Sequence, residues 1–262
     1  MARRRLDAEL VHRRLFASRS AAQAAIEAGS VEVDGIVATK AASQVGGGAS
    51  IRIVGEQSPY VSRGGLKLEA ALDKFAIHVS GKTAIDVGAS TGGFTDCLLQ
   101  RGASRVAAVD VGYGQLAWKI RQDDRVAVFE RMNARHMDVT SVGGPFDLVV
   151  ADLSFISLRT MRDALVAAGN SDADWVLLIK PQFEAGKGQV GKGGIVRDTG
   201  VRRQAVMDVV DSFAEAGVGA RGLVDSPISG AKGNREFLVW LRRGPVELTA
   251  DTMNSLVGLE DE

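Results

Sequence analysis

The chain has 262 residues, 45% of them hydrophobic and 24% charged, and its 32 basic and 32 acidic side chains balance to a formal net charge of zero. No apolar run approaches the roughly 18 residues of a membrane span, and no apolar stretch follows the opening arginines as a secretory signal requires. A soluble, cytoplasmic protein with room for one α/β domain and a small companion is expected. Cys97 is the only cysteine. It can form no internal disulfide, which fits a reducing compartment, and on a helix expected over 95–100 it reads as a buried structural thiol.

The zero net charge hides an uneven distribution. Arg3, Arg4, Arg5, Arg13, Arg14 and Arg19 face only Asp7 and Glu9 at the start, while acids collect later, as in Glu260-Asp261-Glu262. A basic module on a neutral body is the pattern of a nucleic-acid-binding arm. Residues 6–16 read as a helix with Leu6, Leu10, Val11 and Leu15 on one stripe. Ser18 or Ser20 can cap a second helix carrying Ala21, Ala22, Ala25 and Ile26, with Gly29 as its C′ residue. Val31 and Val33 alternate with polar residues. Asp34-Gly35 makes a tight hairpin turn before Ile36 and Val37, and residues 50–54 add a strand after Gly46-Gly-Gly48. Here the chain resembles the S4 RNA-binding domain, on Arg5-Leu-Asp7, Leu10, Ser18-Arg19, Ala22, Ile26, Gly29, Val31, Val33, Asp34-Gly35 and Lys40. The resemblance implies a small α+β unit over 1–57 whose helices present Arg3, Arg4, Arg13, Arg14 and Arg19 to RNA phosphates. Such contacts position RNA rather than read its sequence.

A linker over 58–62 follows, where Pro59 disfavours helix at Ser58. The next helix is expected from Arg63 to Phe75, with Leu66, Ala70, Leu72 and Phe75 for packing and Lys67 between them.

Asp86-Val-Gly-Ala-Ser-Thr-Gly-Gly-Phe94 joins a strand expected over 83–87 to the helix over 95–100. A strand that ends in a glycine-rich turn and feeds a helix opens a nucleotide-type site. Its glycines admit a ligand that a Cβ would block, and the helix start offers free N–H groups. Asp110 ends a second strand, over 105–110, and lies 22 positions past Gly88 (110 − 88). That is close to the spacing of roughly 20 at which a carboxylate accepts ribose hydroxyls. The dinucleotide frame G-x-G-x-x-G would put Ser90 in the place of its middle glycine, the one that lets a pyrophosphate approach. A nucleoside cofactor without phosphate, S-adenosylmethionine, fits better than NAD.

Further alternation of strand and helix signals implies a doubly wound sheet. Phe146-Asp-Leu-Val-Val-Ala-Asp152 is an apolar run closed by an acid. Trp175-Val-Leu-Leu-Ile-Lys180 is closed by a base, and Glu236 opens a late strand over 236–241. Ligands bind along the carboxyl edge of such sheets. Val126 to Phe129 is another strand, followed by Asn133-Ala-Arg135. Residues 186–194 form a glycine-rich basic loop, and a short helix fits within 245–262.

Taken together these stretches resemble the TlyA family of ribosomal RNA 2′-O-methyltransferases, whose catalytic domain is similar to FtsJ-type enzymes. The matching segments are Val61 to Leu68, Asp86 to Phe94, Val109 to Ala117, Ala151 to Ser157, Lys180-Pro-Gln-Phe-Glu184 and Gly233-Asn-Arg-Glu236. The resemblance covers nearly the whole chain. It implies an α/β fold: a Rossmann-like doubly wound methyltransferase sheet over 63–262 behind a small N-terminal α+β S4-like RNA-binding domain. The family's Lys-Asp-Lys-Glu tetrad maps onto Lys67, Asp152, Lys180 and Glu236. The cofactor would be S-adenosylmethionine, with Asp86, Gly88, Ser90 and Gly92 around its methionine part, Asp110 on its ribose and Asn133 near adenine. Arg63 joins the arginines facing RNA. The partner would be ribosomal RNA within ribosomal subunits, with no metal and no membrane.

A ribose 2′-hydroxyl is a poor nucleophile and must lose its proton as it attacks. An amine can take that proton when desolvation and a like-charged neighbour favour its neutral form. The expected roles are Lys180 as general base, Lys67 as its like-charged neighbour and substrate holder, and Asp152 and Glu236 as orienting, charge-balancing carboxylates. The family modifies cytidines in small-subunit RNA, large-subunit RNA or both, and the extended basic start resembles members that modify both. Ser58-Pro-Tyr-Val61 stands where some members carry an Arg and a Trp.

Other readings fare worse. Gly186 to Lys192 matches most of a P-loop, but Gly193 replaces the Ser or Thr that would hold Mg²⁺. Gly88-Ala-Ser90-Thr-Gly92 fits a hydrolase elbow, which needs a late histidine that is missing. His12, His78 and His136 do not cluster with Cys97, so no zinc site is expected. A membrane-active haemolysin and a non-catalytic RNA-binding protein are the alternatives from other classes. The first lacks an apolar span, and the second would not need the charged tetrad.

Overall fold

A computed structural model describes residues 3–16, 18–27, 29–54, 58–186, 188–191, 193–230 and 233–249. Lys187 and Lys192 of the glycine loop, and residues 250–262 of the 245–262 stretch in which a short helix is expected, lie outside the described residues. The chain divides into two compact units, Met1–Ser62 and Arg63–Glu262.

In the first unit β1 (Arg3–Arg5), α1 (Leu6–His12), α2 (Arg19–Glu27), β2 (Val31–Val33), β3 (Ile36–Val37), β4 (Gln44–Gly46) and β5 (Ile51–Ile53) follow in order. β2 pairs antiparallel with β3 and β5, and β1 pairs antiparallel with β4. The helix stripes bury Leu6, Leu10, Ala22 and Ile26 against Val31 and Val45. Asp34 and Gly35 take φ of 52° and 81°, the conformation a two-residue hairpin turn demands. Ser18 caps α2 by accepting the Ala21 N–H at 3.2 Å.

The helix expected over 6–16 stops at His12. Arg14 takes φ of 58°, and the N–H groups of Arg14 and Leu15 return to the carbonyls of Val11 and Leu10. That is a Schellman closure, and it leaves Leu15 40% exposed rather than on the buried stripe. Residues 3–5, read from sequence only as a basic lead-in, form an edge strand because Gln44–Gly46 offers them a ladder.

The second unit is built on β6 (Thr83–Val87), β7 (Arg105–Val109), β8 (Val126–Phe129), β9 (Phe146–Ala151), β10 (Gly169–Ile179), β11 (Val218–Asp225) and β12 (Phe237–Arg243). They form one sheet in the order β11-β12-β10-β9-β6-β7-β8. Pairing is parallel from β10 through β8, and β12 runs antiparallel to both its neighbours. Its helices are α3 (Gly64–Lys74), α4 (Gly93–Gln100), α5 (Trp118–Arg121), α6 (Leu158–Ala168), α7 (Pro181–Glu184) and α8 (Thr199–Glu215). The central strands are near-continuous apolar runs because both faces are covered. On one face Ile85, Val87, Val109, Val149, Ala151, Leu177 and Ile179 pack with Leu158, Met161 and Leu165 of α6 and Val206, Val209 and Phe213 of α8. On α3 the buried face is Leu68, Ala71 and Leu72 together with Lys67, not the expected Leu66 and Ala70. Phe75 caps that helix and stacks on Trp240, ring centroids 5.8 Å apart.

Candidate active site

The sheet order fixes the site. Register pairs Val109 with Val87, Val87 with Ala151, and Ile179 with Phe237. One residue beyond those pairs lie Asp110, Gly88, Asp152, Lys180 and Glu236. Five positions far apart in sequence thus share the edge where such folds bind ligands.

A cleft of about 380 Å³ opens there, lined by Gly88, Ser90, Asp110, Asn133 and Asp152 among the expected residues. Gly88 has φ of 85°, and a Cβ on it would fall 2.7 Å from the Asp152 carbonyl oxygen. Only glycine lets β6 pass β9 this closely. The Asp110 carboxylate accepts the N–H groups of Ser90 at 2.8 Å and Gly112 at 2.6 Å, one on each oxygen, so each keeps acceptor capacity. Ser90 itself sits at φ 49°. Asn133 starts a 3₁₀ turn by accepting the Arg135 N–H at 3.1 Å.

Asp86 and Gly92 do not line the cleft. Asp86 lies fully buried within β6, where Oδ2 accepts both the N–H and the hydroxyl of Thr95 at 2.9 and 2.6 Å. Its Oδ1 has no hydrogen-bond partner. Burial pushes this carboxyl up to about 7, with the nearby charges of Asp152 and Asp110 adding to the effect. Gly92, at φ 92°, shapes the turn into α4.

The four tetrad side chains meet as two ion pairs. Lys67 Nζ lies 2.5 Å from Glu236 Oε2, with side chains 10% and 2% exposed. Lys180 pairs with Asp152, donates to Ser154 Oγ at 3.1 Å, and lies 6.0 Å from the Phe183 ring centroid. Since Lys180 and Glu236 extend register-paired neighbours, the two pairs are adjacent. Glu236 is backed by Gly230, on which a Cβ would fall 2.0 Å from Oε1.

Sequence reasoning missed several residues of this region. Glu184 closes the segment Lys180-Pro-Gln-Phe-Glu184 yet serves structure: it is buried, accepts the Leu158 N–H at 2.6 Å at the start of α6, and is pushed upward by burial. Val111, Gln115, Met132, Ser154 and Phe155 line the cleft. The signal for them was position, since each follows a strand end already suspected of carrying ligand contacts.

The N-terminal arginines divide. Arg13 donates to Glu9 at 2.9 Å and to the carbonyls of Ala49 and Gly47 at 2.8 and 2.9 Å, so its guanidinium ties the glycine turn to α1 instead of standing free for RNA. Arg4 pairs with Glu9 and Arg19 with Asp7, both at 2.9 Å, while remaining about half exposed. Arg3 and Arg14 are exposed. Arg63, partly buried, precedes α3 in the second unit. Among the described residues no group of three His, Cys, Asp or Glu side chains is arranged to hold a metal, and no helix is long and apolar enough to cross a membrane.

Residues 60–243 match the model of the FtsJ-like methyltransferases and residues 4–51 that of the S4 domain. The 16S/23S rRNA (cytidine-2′-O)-methyltransferase TlyA of Mycobacterium tuberculosis is 51% identical over 263 residues, covering 100% of this chain and 96% of that protein. Hemolysin A of Brachyspira hyodysenteriae is 43% identical over 236 residues, 89% of this chain and 98% of that protein. A solved structure from Streptococcus thermophilus, also under a provisional hemolysin name, superposes with a TM-score of 0.79 at 39% identity, covering 98% of this chain and 95% of that one. The chain belongs to the FtsJ-like methyltransferases of the TlyA type, with an S4 domain at its N-terminus.

Proposed function

We propose that this protein methylates the ribose 2′-hydroxyl of a cytidine in ribosomal RNA, using S-adenosylmethionine, and that it works in the cytoplasm on ribosomal subunits. The observation that carries the reading is the pair of adjacent lysine–carboxylate bridges beside a glycine-walled cleft on one sheet edge.

The residues present fit this cofactor. Asp110 and Asp152 line the cleft and the orphaned Asp86 Oδ1 lies behind it. Such a wall favours a ligand carrying a sulfonium and an ammonium and repels a pyrophosphate. When bound, S-adenosylmethionine supplies an electrophilic methyl group. Asp110 would hold its ribose and Asn133 would approach its adenine. Gly88 and Ser90 would take the methionine part, with the buried Asp86 acting on it through its charge and Gly92 setting the turn.

The chain's own task is to place the 2′-oxygen in line with that methyl group and to remove its proton. Lys180 takes the proton at Nζ. Asp152 orients the amine and balances its charge. Lys67, held by Glu236, grips the substrate beside it. Arg3, Arg4, Arg14, Arg19 and Arg63 would neutralise RNA phosphates and set the register of docking.

The test is radiolabelled methyl incorporation into isolated ribosomal subunits, followed by mapping of the modified nucleotide. Lys180→Ala should lower transfer by a factor on the order of 10² to 10⁴, with cofactor affinity measured by calorimetry left intact. Transfer at the wild-type rate would remove Lys180 from the mechanism.

A further inference from the structure

We propose that Ser154 is a positioning residue for the Lys180 amine, fixing the direction of its lone pair toward the substrate hydroxyl. The inference rests on Lys180 being the base. Ser154 stands two residues past Asp152 in the loop after β9. Its side chain is exposed and lines the cleft, while the Lys180 side chain is only 11% exposed. Ser154 Oγ and the Asp152 carboxylate are both in contact with Lys180 Nζ, the hydroxyl at 3.1 Å.

A neutral primary amine has two N–H bonds and one lone pair, disposed tetrahedrally about nitrogen with the Cε bond. With a single acceptor, the amine can satisfy it from two of the three staggered rotations about Cε–Nζ, and the lone pair is divided between two directions. With two acceptors at fixed places, both N–H bonds are committed and the lone pair is left in the one remaining direction. Ser154 is the acceptor that the hydrogen bond to Nζ shows, and the Asp152 carboxylate, an ion-pair partner of the same nitrogen, is the one within reach of the second N–H. In the step itself the 2′-O–H bond breaks as the Nζ–H bond forms, and the O–C bond forms as the methyl group leaves sulfur, whose charge is neutralised.

The loop is built to hold Ser154 still. Phe155 adopts φ of 66° with its side chain largely exposed, a backbone conformation that is uncommon for a bulky residue. Its ring rests on Phe183, centroids 5.3 Å apart, and the Phe183 N–H bonds the Lys180 carbonyl at 2.8 Å. The residue after Ser154 and the residue three past Lys180 thus join the two segments by a ring contact.

The experiment compares Ser154→Ala and Ser154→Thr with wild type and Lys180→Ala in the full-length protein. Loss of rotational order costs a factor of about two, and loss of the hydrogen bond adds about five-fold more. Ser154→Ala should therefore lower kcat roughly ten-fold, with KM for RNA and the calorimetric Kd for cofactor within about two-fold. Ser154→Thr, which keeps the hydroxyl, should restore kcat to within about three-fold. Independently of turnover, NMR of ¹⁵N-labelled lysine should show a protected Lys180 Nζ–H signal in the wild type that is lost in Ser154→Ala and retained in Ser154→Thr. A wild-type kcat for Ser154→Ala beside an inactive Lys180→Ala overturns the positioning role and leaves the base assignment standing. A raised cofactor Kd at unchanged kcat also overturns it, reducing Ser154 to a wall of the cleft. Full activity of Lys180→Ala sinks the base assignment itself, a distinct result.

Discussion

Gly230→Ala is the sharpest perturbation this structure offers, because it adds one carbon and removes nothing. Gly230 does not need glycine for its backbone, since its φ is not positive. Its constraint is space. The new Cβ would lie 2.0 Å from Glu236 Oε1 and 2.5 Å from its carboxyl carbon. Unbonded carbon and oxygen come no nearer than about 3 Å, so the carboxylate must retreat by about 1 Å. Glu236 is 2% exposed and bonded to Lys67 at 2.5 Å. Stretching that pair from about 2.5 to 3.5 Å weakens its attraction by roughly 2 kcal/mol at an effective dielectric constant of about 20. For a unit of this size that lowers Tm by about 4–8 °C. The rate effect is larger, because a misplacement of about 1 Å in a positioned group can cost on the order of 10²-fold. The assay is single-turnover methyl transfer with saturating cofactor, alongside thermal melting. The diagnostic comparison is the double variant Gly230→Ala/Glu236→Ala. With no carboxylate left to displace, it should be no slower than Glu236→Ala alone. Additive losses, or a wild-type rate for Gly230→Ala, would refute the claim that the glycine acts through Glu236.

The other predictions concern charge. Asp86 holds its proton up to about pH 7 in the folded protein, whereas an unfolded aspartate loses it near pH 4. Its contribution to stability is therefore greatest below about pH 4 and declines as pH rises toward 7. Affinity for the cationic cofactor should move oppositely, rising by up to ten-fold per pH unit toward 7 and then levelling. Asp86→Asn should flatten both curves, and an unchanged slope in calorimetry would contradict the assignment. Asp7, buried under Arg5, Arg19 and Gln23, is held well below the usual carboxylate range. The stability it confers is present above about pH 4 and lost below it, so the hydrogen-exchange protection factors of Leu6–His12 should fall in acid, and Asp7→Asn should abolish that dependence. Arg13→Gln should loosen the first unit, whereas Arg14→Gln should leave its melting unchanged. The Arg14 change should reduce the slope of log affinity for RNA against log salt by about 0.7–0.9.

The glycine-rich turn could be read from local chemistry, whereas the four tetrad positions came only from the resemblance to a family. Asp34-Gly35 marks a tight hairpin turn, and Gly88 closes the strand that ends at the cleft. What sequence hid was tertiary. Nothing near Arg14 announces a Schellman closure, since arginine is a poor choice for positive φ and the closure depends on where α1 must stop to pack. Arg13 looked like its neighbours until the carbonyls of Gly47 and Ala49 came within reach. The buried face of α3 was misread because Lys67 occupies a position on it. A lysine is counted as polar, yet here its Nζ is buried against Glu236, and the apolar stripe shifts to Leu68 and Leu72 around it.

The same geometry explains an asymmetry in where the charges fall. Asp152 and Lys180 follow their strands, but Glu236 precedes its own. In a wholly parallel sheet a carboxylate before a strand would lie on the edge remote from the ligand. β12 runs antiparallel to β10, so its beginning lies beside the end of β10, and Phe237 pairs with Ile179. A residue just before β12 is therefore the nearest neighbour of Lys180. The reversal of one strand supplies an acid on the outer flank of the lysine, while Asp152 supplies the one on the inner flank. With Asp152 and Glu236 in those places, a second amine can sit near the first without an uncompensated buried charge. Lys67 comes from outside the sheet to fill that role, and its bond to Glu236 is what makes its burial tolerable.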